Sequence, residues 1–303
     1  MIKRITDSHA HLGDILYGKN ITFKQNVKKR DYHNYLELLE NNMMMPPVEY
    51  EGVDPVVFDE SMLNEEQARN NTATLQNMGK SMDENNITNI WVLPVLPHVS
   101  FEEILAASKL DQRIVPFTCA DFSLGKDAGK KILEDVKKGA MGLKIHPILQ
   151  RVDLLSDKVS EVLKFWEETG KPVISHTYCY NYFHPEESYR NAPEYGSNLD
   201  FLKLVEKFPN INFVGAHSGG PMDFDQLWDG ADLKNLYVDT SFQPVSVVKE
   251  FLKRFGHNRV MFGTDWPWGT QATPIKIVKE ACENNEELER KIFYENADNL
   301  LGG

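Results

Sequence analysis

Asp7-Ser8-His9-Ala10-His11, which follows the run Ile2-Lys3-Arg4-Ile5-Thr6, is the stretch on which the reading of this chain turns. Strand side chains alternate between faces, so histidines at i and i+2 project from the same one. Two imidazoles side by side at a strand end can share one metal ion, each about 2.0–2.1 Å from it. Gly13 follows at once and begins a loop. Alone, an H-x-H is a weak signal, because a strand-end histidine can equally bond a backbone carbonyl and pack. Its weight depends on what the rest of the chain brings to comparable places.

Outward from that stretch a rhythm sets in. Residues 89–94, 113–119, 140–146, 172–176, 211–217, 236–240 and 259–265 are short apolar runs. Helices are expected over 64–85, 101–109, 128–138, 157–169, 198–208, 245–255, 273–284 and 286–300. Strands alternating with helices pair in parallel. With the first run the strands number eight, which closes an α/β (β/α)8 TIM barrel of about 250 residues. The length of 303 residues leaves room for an insertion. Residues 20–57 supply it after strand one and read as a cover over the active-site mouth, with a plain surface insertion as the alternative. Residues 1–303 are thus expected to form one domain. A doubly wound open sheet is the competing architecture, but no Gly-rich phosphate turn follows strand one.

In a closed parallel barrel the C-terminal strand ends surround one mouth. His9 and His11 stand at such an end, as do Lys144 and His146, His176, His217 and Asp265. Five of the nine histidines fall there, which a random scatter would not produce.

The formal net charge of -12 disfavours nucleic acid and anionic membrane surfaces as partners. No apolar run approaches the roughly 18 residues of a membrane span. The three scattered cysteines argue against a disulfide framework and for a reducing compartment. With a strand-like N-terminus in place of a signal peptide, a cytoplasmic location is expected.

D-S-H-A-H, G-L-K-I-H-P, I-S-H-T, G-A-H-S-G-G and F-G-T-D-W-P, in this order, resemble the amidohydrolase superfamily. The G-x-K-x-H-P and G-T-D-x-P forms are similar to its amidohydrolase-related branch, which includes aminocarboxymuconate-semialdehyde decarboxylase, lactonases and hydratases. The resemblance implies one divalent metal held by His9, His11, His176 and Asp265. Three imidazoles and a carboxylate suit Zn²⁺ first, with Mn²⁺ or Fe²⁺ able to substitute. Such an ion lowers the pKa of water from 15.7 toward about 7. Asp265 would serve as a general base as well as a ligand, and His217 would hold the water or the developing oxyanion. For Asp265 the bland alternative is a helix N-cap, which Asp-Trp-Pro-Trp disfavours.

Lys144, His146 and Trp266 are candidates for substrate binding. Lys144 is expected to stay an ammonium, pairing with a carboxylate or the substrate, since the mononuclear branch fits better than a carbamylated lysine bridging two metals. His146 would line the pocket or support it from behind, and Trp266 and Trp268 would wall it or join the core. Arg151, Tyr178 and Arg190 lie in loops at the mouth and could hold a substrate carboxylate. Cys179 reads as inert, with nothing nearby in sequence to activate it. The expected function is a metal-dependent hydrolase of an amide, lactone or ester of a small molecule. A metal-dependent decarboxylase using the same residues is the alternative, and a non-catalytic barrel is disfavoured by the complete ligand set. Among barrels of this resemblance a homodimer is the common assembly.

Overall fold

The computed structural model describes residues 4–28 and 55–302, the side chains of 55–59, 61, 62, 221 and 222 excepted. Most of the segment 20–57, expected to cover the mouth, lies outside the described residues. The strands are β1 (Thr6–Ala10), β2 (Asn89–Val92), β3 (Ile114–Pro116), β4 (Thr118–Cys119), β5 (Leu143–Ile145), β6 (Val173–His176), β7 (Phe213–Ala216), β8 (Leu236–Asp239) and β9 (Val260–Met261). Every ladder is parallel and joins strands consecutive in the chain. The expected third strand is broken at Phe117, so β3 and β4 form one stave of eight. Phe117 turns its ring inward and stacks on Trp91 with ring centroids 5.0 Å apart. Gly142 makes room for it, since a Cβ there would lie 1.9 Å from the Phe117 ring.

Closure occurs between the first and last strands. Ser8 N–H donates to the Phe262 carbonyl at 2.9 Å, Asp265 N–H to His9 O at 2.8 Å, and His11 N–H to Trp266 O at 2.8 Å. The H-x-H stretch and the T-D-W stretch are therefore bound backbone to backbone across a gap of more than 250 residues in sequence. Beneath them, Trp91, Leu93, Phe117, Ile174, Val214 and Met261 belong to one apolar cluster. Ile174 shares a strand face with His176, two residues on, so this cluster is the floor under the polar mouth.

Two expected helices are divided. The segment 64–85 forms α1 (Pro55–Asn70) and α2 (Leu75–Asn85). Thr74 is the N-cap of α2, its hydroxyl accepting from Asn77 N–H at 3.2 Å. The break frees the Ala73 carbonyl to accept from Gly13 N–H at 2.8 Å, pinning the loop just after His11. The segment 286–300 has a π-helical stretch, Lys291–Glu295, between two short α-helices. There the Ile292 carbonyl accepts from Phe262 N–H at 3.0 Å, so the irregular turn anchors the last strand. Among the described residues no helix is long and apolar enough to cross a membrane.

Candidate active site

His9 and His11 are buried at the end of β1, and each has its outer nitrogen engaged. His9 Nδ1 lies 2.8 Å from Asp239 Oδ2, and His11 Nδ1 lies 2.6 Å from the Leu93 carbonyl. A carbonyl and a carboxylate only accept, so both Nδ1 atoms carry the proton and both Nε2 atoms present lone pairs to the mouth. Burial, with Lys144 nearby, lowers the pKa of both rings and keeps them neutral.

Asp239 does more than hold His9. Its Oδ1 accepts from the Ser241 hydroxyl at 2.6 Å and from His217 N–H at 3.1 Å. With its proton committed to Asp239, the Ser241 oxygen can only accept from His217 Nδ1, 3.0 Å away. That leaves His217 Nε2 as a third inward-facing lone pair, 4.0 Å from Asp265 Oδ2. Gly263 permits the close approach, since a Cβ there would lie 3.1 Å from the Cβ atoms of both His9 and Asp239.

Asp265 faces these rings. Its Oδ1 lies 3.2 Å from His9 Nε2 and 3.4 Å from His11 Nε2. That oxygen is buried with no hydrogen-bond donor. Lone pairs thus face lone pairs across little more than 3 Å, an arrangement that costs free energy unless a proton on Asp265 or a cation among them offsets it. One atom each from His9, His217 and Asp265 lies within 4.8 Å of the others. Three neutral imidazoles and a carboxylate fit a divalent ion of the Zn²⁺ or Mn²⁺ kind. Burial raises the Asp265 carboxyl well above its ordinary range, against the pull of Lys144.

The backbone here is forced. Tyr178, His217, Ser218, Phe242 and Asp265 all have φ between 49° and 72°, the left-handed region that non-glycine residues avoid. All five follow the ends of β6 to β9, and such strain, roughly 1–3 kcal/mol each, gathers where a site demands it.

Of the other expected ligands and binding residues, His176 is buried, but its Nε2 lies 3.0 Å from the Tyr178 carbonyl, which turns that nitrogen away from the Asp265 group. His146 stacks flat on His176, ring centroids 4.3 Å apart, and lines the cleft. Lys144 is fully buried 3.5 Å from His9 Nε2, and burial lowers its pKa to about 8. Trp266 is seated in the hydrophobic core, its backbone bridged to Ala10, whereas Trp268 lines the cleft. Of the two tryptophans, Trp268 thus belongs to the wall and Trp266 to the core.

Tyr178 reaches the cleft, but Arg151 and Arg190 do not line it. Arg151 donates to the carbonyls of Tyr189 and Arg190 at 3.2 and 3.0 Å. Arg190 pairs with Glu187 at 3.0 Å and lies over the rings of Tyr17 and Phe183. Both arginines border a neighbouring cleft. Cys179 is exposed, and burial of its sulfur with nearby carboxylates raises its thiol pKa, which fits an inert side chain.

Sequence reasoning passed over Asp239, Ser241, Tyr182, Phe242 and Glu66. Asp239 was open to discovery, since it ends an apolar run just as Asp265 does. Glu66 carries no such signal. It reaches the cleft from α1 and accepts from the Tyr180 hydroxyl at 2.8 Å. Burial lifts its carboxyl to about 7, while Tyr180 and the Arg69 guanidinium hold it down.

A family model described as amidohydrolase matches residues 6–303. No curated protein matches the chain. Among solved structures it is similar to a 5-carboxyvanillate decarboxylase from Novosphingobium aromaticivorans with bound manganese, at 13% identity, TM-score 0.66 and coverage of 100% of this chain and 97% of that one. It is also similar to a probable 2-pyrone-4,6-dicarboxylic acid hydrolase from Acinetobacter baumannii, at 14% identity, TM-score 0.62 and 99% coverage of both chains. An uncharacterised TIM-barrel protein from Bordetella bronchiseptica gives 18% identity, TM-score 0.65 and coverage of 99% and 98%.

Proposed function

Since this chain belongs to the amidohydrolase family, we propose that it is a metal-dependent hydrolase cleaving an amide, lactone or ester of a small molecule in the cytoplasm. The observation that carries the reading is Asp265 Oδ1, buried without a donor between two imidazole lone pairs. His9, His11 and Asp265 would hold one divalent ion, Zn²⁺ by preference, and a turn of the His176 ring would complete the set. When bound, the ion supplies Lewis acidity to a carbonyl and lowers the pKa of water.

The remaining work falls to the chain's own groups. Asp265 takes a proton from the attacking water and returns it to the leaving group, with one carboxyl oxygen facing His9 and His11 and the other facing His217. His217, with Nδ1 committed to Ser241, offers Nε2 as an acceptor that holds the water by its O–H. That bond directs the water and does not serve an oxyanion, which needs a donor. Asp239 keeps both His9 and His217 in these tautomers.

Decarboxylation of a small carboxylated substrate is the second reading. It is favoured by Lys144, a buried ammonium with no carboxylate within ion-pair distance among the described residues. The test pairs two assays on protein of measured metal content. Hydrolysis of a panel of neutral esters, lactones and amides without CO₂ release supports the first reading. CO₂ release from hydroxybenzoates, lost in Lys144→Ala, replaces it with the second. Two metal equivalents per chain, falling to one in that variant, would instead mean a carbamylated Lys144, and absence of metal would sink both.

A further inference from the structure

Glu66 has no part in the chemistry above, yet it borders the same cleft. Among the described residues the Tyr180 hydroxyl is the one hydrogen-bond donor to its carboxyl. Aromatic rings surround it. Tyr178, Tyr180 and Tyr182 alternate along the loop after β6, and successive rings lie 5.6 and 5.1 Å apart. Trp268 donates its indole N–H to the Glu66 carbonyl at 3.1 Å, which ties this wall to α1. On the inner side the Trp268 ring meets His11 edge-on at 5.5 Å, so the wall begins where the histidines end.

No lysine or arginine is among the described residues lining this cleft. An anionic group beside Glu66 would meet its carboxyl, with Arg69 the cation that acts on that carboxyl among the described residues. Above the pH near 7 at which Glu66 ionises, a cation there finds a carboxylate and the faces of tyrosine and tryptophan rings. We propose that the side of the cleft formed by Glu66, Tyr178, Tyr182 and Trp268 binds a positively charged nitrogen of the substrate, an ammonium or quaternary ammonium group. The inference deepens the hydrolase reading and rests on it for the chemistry at the histidines.

The test is calorimetric titration of the metal-loaded protein with benzyltrimethylammonium, which has no lone pair to offer a metal, and with benzenesulfonate. The cation should bind about tenfold more tightly than the sulfonate, and Glu66→Gln should remove most of that preference while metal content holds. Glu66→Asp, which keeps the charge, should retain part of it. Tighter binding of the sulfonate, or a cation affinity unchanged in Glu66→Gln, would overturn the proposal. No turnover is involved, so failure of every hydrolysis assay leaves this result standing. Hydrolysis of neutral esters without cation binding leaves the hydrolase and removes the cation site.

Discussion

The two walls of the mouth are held by different means. At the ends of β1 and β7 the imidazoles facing the centre are pinned from behind: His9 by Asp239, His11 by the Leu93 carbonyl, His217 by Ser241. Asp7 adds a crosslink, accepting from Thr264 N–H at 3.1 Å, the Thr264 hydroxyl at 2.6 Å and Gln271 at 3.0 Å. Opposite, the backbone of the loop after β6 is held by Asn198 and Asn191, but one of its rings is not. The Tyr182 hydroxyl sits 3.4 Å from both nitrogens of His176 and commits to neither. A site that holds an ion needs fixed lone pairs, whereas a wall that meets varied substrates gains from side chains free to turn.

That contrast can be broken by substitution. The largest effect is expected from Asp265→Asn, which removes base and ligand together: kcat should fall by roughly 10²–10⁴-fold, with bound metal reduced in the same preparation. Asp239→Asn should weaken metal binding by about 10–100-fold, read by competition with a chelator, although Asp239 need not touch the ion. If it leaves affinity unchanged, the first wall is not pinned as described. Tyr182→Phe, on the looser wall, should change KM by less than about tenfold and leave metal content alone, since a single neutral hydrogen bond is worth about 1 kcal/mol.

The pH dependence of Glu66 sharpens the comparison further. Its carboxyl, ordinarily near 4.5, titrates near 7 in the fold, so between those values the folded chain holds a proton that the unfolded chain has released. Stability therefore falls as pH rises through that window. Glutamine has no such term, and the Tm of metal-free Glu66→Gln should gain on wild type by a few degrees between pH 4.5 and 7. The smallest effect belongs to the floor end of the barrel. Arg4→Ala, breaking a 2.7 Å ion pair with Asp298, should cost less than about 1 kcal/mol in chemical denaturation, because both partners remain solvated.

The barrel, the mouth and the residues His9, His11, His217 and Asp265 were legible in the chain because they depend on period and position. Apolar runs alternate with helices, and polar residues stand where the runs end. The break at Phe117 was not legible, since it depends on a ring stacking over Trp91 from a different strand. Nor was the division of the long helix at residues 71–74, where a terminal carbonyl is drawn off to Gly13. Local propensity does not contain such distant partners.

What the chain determined by itself is therefore the order of strands and helices and the polar groups at the strand ends. Only the tertiary structure decided which tryptophan reaches the cleft, which nitrogen of each histidine faces inward, and that Glu66 from α1 meets the tyrosines after β6. The reason is physical. Periodicity is a property of neighbours in sequence, whereas tautomers, burial and the charge of a cleft arise where segments far apart in the chain come within hydrogen-bond distance.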